Sequence, residues 1–101
     1  MSDVNKETAL RLLSPVHEGN RFWSSDGKVF HDLESFYKGL QNMNAENFNH
    51  HVNKEKNDFS IWVYDIIGDQ VLAESLRKSK DKKTSIKRAQ ARINYLKSIV
   101  D

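Results

Sequence analysis

Apolar residues along this chain return every three or four positions over most of its length, the repeat of helices that bury one face. The clearest run is Phe59, Trp62, Val63, Ile66 and Ile67, at i, i+3, i+4, i+7 and i+8. Asn57 or Asp58 stands where it can cap that helix, and Gly68 suits the left-handed position that closes it. A second stripe, Leu33, Phe36, Tyr37, Leu40 and Met43, follows the cap residue Asp32. Weaker stripes predict a helix over Val4–Leu13 using Val4, Ala9, Leu10 and Leu13, ended by Ser14-Pro15, and a shorter one from Asn44 through Phe48 to about Asn53. Asp69 can cap a helix that turns Leu72, Ala73 and Leu76 inward. Thr84 or Ser85 can cap a last one, bearing Ile86, Ala89, Ile93, Leu96 and Val100. The 3-4-3-4 spacing of those five residues is that of a narrow coiled-coil seam, able to pack on this domain, on a partner helix or on a second copy.

The helical repeat is interrupted once. Arg21-Phe22-Trp23-Ser24 and Lys28-Val29-Phe30 flank Ser25-Asp26-Gly27, and Asp-Gly between apolar runs signals a hairpin whose type I′ turn needs positive φ at both central residues. The expected fold is thus mainly α, a compact bundle of four to six short helices with one small β-hairpin near residues 21–30. Its core is expected to be built on Phe36, Leu40, Phe59, Trp62, Ile66 and Leu72.

With 101 residues the chain is sized for one domain, and 38% apolar residues suffice for one modest core. It contains no cysteine, which excludes disulfides, thiolate metal sites and thiol nucleophiles and fits a reducing compartment. The first residues include Asp3 and Glu7 and no apolar run of signal-peptide length, and no stretch is long enough to span a bilayer. A cytoplasmic protein without membrane contact is the expectation.

Charge is distributed unevenly. Residues 1–75 hold 7 Lys/Arg against 12 Asp/Glu, a balance of −5, while residues 76–101 hold 9 against 2, a balance of +7. Arg77, Lys78, Lys80, Lys82, Lys83, Lys87, Arg88, Arg92 and Lys97 could neutralise the phosphates of a nucleic acid, or the last helix could dock on its own acidic body. Docking is the simpler reading. Lys87, Arg88, Arg92 and Lys97 spread round the helix, and no aromatic residues are interleaved for base stacking.

One segment concentrates chemistry. His50-His51-Val52-Asn53-Lys54-Glu55-Lys56-Asn57-Asp58-Phe59 carries two imidazoles, two carboxylates and two amides that could form a recognition loop, with Trp62 as an aromatic wall. A metal could draw on His50 or His51 together with Glu46, Glu55 or Asp58. Adjacent histidines on a helix point about 100° apart, however, unlike the i, i+4 pair of a helical zinc motif. The simpler expectation makes His51 half-buried, points His50 outward, and uses Asn53, Asn57 and Asp58 to satisfy free backbone groups at helix ends. No nucleophile with its base, no carboxylate pair in a cleft and no glycine-rich phosphate loop can be assembled from local spacing, so neither a cofactor nor an enzyme activity is expected.

His50-His51-Val52-Asn53, Asn57-Asp58-Phe59, Trp62, Gly68-Asp69 and Leu72-Ala73 together resemble an uncharacterised prokaryotic domain family of unknown function. Its core reads HHVN-x3-NDF-x2-W, followed by a Gly-Asp corner and a Leu-Ala helix. The resemblance covers residues 22–79, leaving an N-terminal helix within 1–15 outside it and the basic C-terminal helix, 84–100, beyond it. Ser35 stands where the family tends to have Glu, which leaves a capping box open. Domains of this kind occur free-standing and as appendages, which implies an accessory or interaction module, and the family supplies no activity to transfer. The expected function is a non-enzymatic adaptor or regulatory module, with nucleic-acid binding through the basic segment as the alternative.

Overall fold

The computed structural model describes residues 4–101, so Asp3, one of the N-terminal acids noted above, lies outside the described residues. Helix α1 spans Lys6–Leu13 and begins at Asn5, whose side chain accepts the Thr8 N–H at 2.8 Å. Ala9 and Leu12 are its buried residues, whereas Leu10, expected inside, is half exposed. At 100° per residue, Leu10 lies roughly 160° round the helix from Leu12 and cannot share its face. After a 3₁₀ turn at Glu18–Asn20, strands β1 (Phe22–Trp23) and β2 (Val29–Phe30) pair antiparallel, Phe22 opposite Phe30 and Trp23 opposite Val29.

The hairpin is as expected but its turn is not type I′. Gly27 has φ 88°, while no residue with a side chain, Asp26 included, has positive φ among the described residues. The Gly27 N–H donates to the Ser24 carbonyl at 3.0 Å and the Ser24 N–H to the Lys28 carbonyl at 2.9 Å. This is the three-residue loop with a left-handed glycine last, which places the one positive φ where it costs nothing.

Helix α2 (Leu33–Asn42) opens on a complete capping box: the Asp32 carboxylate accepts the Ser35 N–H at 2.8 Å, and Ser35 Oγ accepts the Asp32 N–H at 3.1 Å. Serine therefore does here what a glutamate would do at that position. Gly39, on the inner face of α2, is needed for space, since a Cβ there would stand 2.1 Å from the Phe30 ring. Helix α3 (Ala45–His51) starts at Asn44.

Helix α4 (Asp58–Trp62) begins at Asn57, but the long helix expected through Ile67 widens after Trp62 into a π turn over Val63–Ile67. There the Val63 carbonyl accepts N–H groups from both Gly68 (2.8 Å) and Asp69 (3.2 Å). The wider turn rotates the following residues, so Ile67 enters the core while Ile66 is left half buried. Gly68, with φ 88°, ends the turn, and Asp69 caps helix α5 (Gln70–Lys78).

Helix α6 spans Lys82–Val100 and starts two or three residues before either expected cap, because Asp81 accepts the Thr84 N–H at 3.1 Å. Ser85, expected as an alternative cap, is instead buried, with its hydroxyl donating to the Asp81 carbonyl. Helix α6 lies across α1, α2 and α5. Ala89, Ile93 and Leu96 are buried in that junction and Ile86 and Val100 half buried beside it. The seam expected to be available to a partner or a second copy is therefore occupied by the protein's own core. The rings of Phe22, Phe30, Phe36, Phe59 and Trp62 stack and tilt against one another at the centre, with Phe48 against Phe59.

Candidate functional site

The histidine-rich segment folds where the C-terminal end of α3, the start of α4 and the hairpin turn converge. His51 is 5% exposed, fully buried where half burial was expected. Its Nε2 accepts the Ser25 backbone N–H at 3.0 Å, so that nitrogen carries no proton. Nδ1 then holds the proton and donates it to Asp58 Oδ2 at 3.0 Å, the tautomer this network requires. The Phe22 and Phe59 rings close over the imidazole, each with its centroid 5.1 Å away.

Asp58 Oδ2 also accepts Lys56 Nζ at 2.9 Å. Partial burial raises the Asp58 carboxyl, but the hydrogen bonds from His51 and Lys56 and the positive charge of Lys56 outweigh it and hold the group below its ordinary value.

The sequence Asp58–His51–Ser25 has the order of an acid, a base and a nucleophile. The geometry does not complete it, because His51 meets the Ser25 amide while the Ser25 hydroxyl donates to Asn47 Oδ1 at 2.9 Å. His50 is exposed, its ring edge-on to that of His51 at 4.9 Å. Both ring nitrogens of His51 are committed, and among the described residues no three His, Cys, Asp or Glu side chains converge as metal ligands.

The amides are committed as well. Asn53 Nδ2 donates to the Asn49 carbonyl at 3.1 Å, and its Oδ1 accepts the Glu55 N–H at 3.0 Å. Asn57 Oδ1 accepts the Ser60 N–H at 3.0 Å while Nδ2 reaches the Leu76 carbonyl at 2.9 Å, tying the start of α4 to the end of α5. Trp62 is not an aromatic wall of this loop. It is 6% exposed, and its Nε1 donates to the Asn20 carbonyl at 2.8 Å. A cleft of about 560 Å³ does lie beside the loop, between Asn49, Val52, Asn53 and Lys54 on one side and Lys80 on the other.

The basic segment is sorted by the fold into three sets. Arg92 forms a bidentate pair with the buried Asp69, Nε to Oδ2 at 2.7 Å and a terminal nitrogen to Oδ1 at 3.0 Å. Lys97 Nζ meets Glu34 at 2.8 Å, and Lys82 donates to the Met43 carbonyl. These contacts pin α6 to the acidic body. Arg77 and Lys78 pair with Glu74 on the surface of α5. Lys80, Lys83, Lys87 and Arg88 are exposed, without a carboxylate in salt-bridge range among the described residues.

Sequence spacing gave no warning of a further surface. Ile61, Tyr64, Val71 and Tyr95 are 55%, 53%, 47% and 42% exposed, and they flank or lie on the outer face of α5. A groove between α4 and α5 is lined by Ile61, Tyr64, Ala73 and Arg77, and one between α5 and α6 by Val71, Ser75, Ala91 and Tyr95. The signal that could have found this surface is negative: all four are large apolar residues off the inward stripe of their own helices.

Compared with known proteins, the chain matches no family model, no curated protein and no solved structure.

Proposed function

We propose that this protein is a non-enzymatic interaction module and that its HHVN and NDF segments are a fold signature shared with the domain family they resemble. The observation that carries the reading is the face around α5, where four large apolar side chains stand at least two-fifths exposed on adjoining elements. Scattered single residues of this kind are ordinary, but here they stand in two pairs, Ile61 with Tyr64 and Val71 with Tyr95, each lining a groove on one side of α5 beside charged residues, a pattern that suits a protein-binding surface. The motif supports the same reading. His51, Asn57, Asp58 and Asp69 spend their polar atoms on helix ends, the hairpin and α6. The working surface is thus assigned to α5 and its flanks in place of the α6 seam. No helix among the described residues is long and apolar enough to cross a membrane, and a cytoplasmic location remains part of the proposal.

An amide chemical-shift titration of the full chain against DNA, RNA, zinc and fractionated cell protein tests this. Shifts at Ile61, Tyr64, Val71 and Tyr95 with a protein fraction, and none with nucleic acid, are the expected result. Shifts confined to Lys80, Lys83, Lys87 and Arg88 with nucleic acid, weakening steeply as salt is raised, would replace the proposal with phosphate binding. Zinc-induced shifts from His50 to Asp58 would return the loop to the role of a metal site.

A further inference from the structure

On the outer face of α5, Val71, Glu74 and Lys78 follow one another at i, i+3 and i+7 with Ser75 beside them. Glu74 lies within ion-pair distance of Arg77 and Lys78, so the face carries both signs of charge within one helical turn. An acidic partner segment would meet Glu74 at the centre of this face, and a basic one would meet Arg77 and Lys78. A face of mixed sign with apolar residues on its flanks is matched by the same face turned through a two-fold axis, which sets the Glu74 of each copy against a lysine of the other.

We propose that the face of α5 is the dimer interface of this protein and that its occupant is a second copy of the chain. This rests on the reading of α5 and its flanks as an interaction surface. In the dimer the two α5 helices run antiparallel and cross near Ser75, whose small side chain lets the backbones approach. Each Glu74 comes within reach of the other copy's Lys78, and the helix dipoles are opposed head to tail. Tyr95 on one flank and Ile61 with Tyr64 on the other widen the contact. A stable interface takes roughly 800 Å² from each partner. That is about an eighth of the 6308 Å² surface, an area that one helix face with both flanks can supply.

The test is sedimentation equilibrium of the full chain from about 10 μM to about 1 mM, the range in which weak dimers dissociate. The wild type is expected to show a monomer–dimer equilibrium. Val71→Asp, at an exposed position in the first turn of α5 where an acid suits the helix, is expected to weaken it roughly tenfold or more. Glu74→Lys and Lys78→Glu are each expected to weaken the dimer, and the double exchange to restore it, with circular dichroism confirming the fold of each variant. A wild type that stays monomeric throughout, or a dimer indifferent to all of these changes, overturns the proposal. A monomer whose α5 amides still shift with a protein fraction would remove the second copy and leave the interaction module standing. A monomer whose α5 amides respond to nothing would remove both.

Discussion

Replacing His51 by alanine tests whether the motif is a strut. Three losses follow from the geometry. The Ser25 N–H loses its acceptor, which costs about 0.5–1.5 kcal/mol because the turn is close to solvent. The hydrogen bond to Asp58 is charge-assisted, yet Asp58 is 29% exposed and keeps Lys56, so about 1 kcal/mol is the discounted figure. Removing a ring packed between Phe22 and Phe59 adds about 1–2 kcal/mol. The total is about 3 kcal/mol, a drop in Tm of roughly 10–20 °C for a chain of this size. Guanidinium unfolding followed by the fluorescence of buried Trp62 measures it. His51→Phe should recover the packing share alone, and the His51→Ala/Asp58→Ala cycle should give a coupling near 1 kcal/mol. A loss below about 1 kcal/mol for His51→Ala would refute the strut and reopen the loop to a functional reading.

Three further outcomes are expected. Because the folded Asp58 carboxyl lies below its unfolded value of about 3.9, its contribution is complete above about pH 5 and is lost as pH falls through the folded value. Urea midpoints should therefore fall on acidification from about pH 5, with Asp58→Asn showing a shallower decline. Arg92→Ala should cost about 3–5 kcal/mol in chemical denaturation, since it strands the buried Asp69 carboxylate, and Arg92→Leu alone should not rescue it. Gly39→Ala should destabilise by about 1–3 kcal/mol despite alanine's better helix propensity, because the new Cβ would stand 2.1 Å from the edge of the Phe30 ring; a gain in Tm would contradict the packing.

Much of the architecture was legible because its determinants are local. Asp32 and Asp69 cap the helices that their positions predict, and Gly68 closes α4's extension with the left-handed backbone that glycine permits. What escaped depends on residues far apart in the chain. Leu12 replaces Leu10 in the core because α1 meets α6, and Trp62, expected in the core and found there, is fixed by an acceptor on Asn20, 42 residues away. The π turn has no sequence signal of its own; it arises where Val63 accepts from two successive amides at a corner. Docking of the basic tail on the acidic body was the simpler reading of the charges, but the groups that receive it, Asp69, Glu34 and the Met43 carbonyl against Arg92, Lys97 and Lys82, lie in other elements and could not be named. At the candidate site the polar residues were found by composition, but Ser25, whose backbone N–H bonds His51 from the hairpin turn, was not.

The Asp69 carboxylate caps α5 through Leu72 and holds Arg92 of α6 through both oxygens. One buried group thus joins the start of one helix to the middle of another, and neither can fray without exposing it. Amides of α5 and the central part of α6 should consequently exchange with solvent only through global opening, as one cooperative unit. A partner arriving at Val71 and Tyr95 meets a backbone that is already ordered, so little conformational entropy remains to be lost on binding.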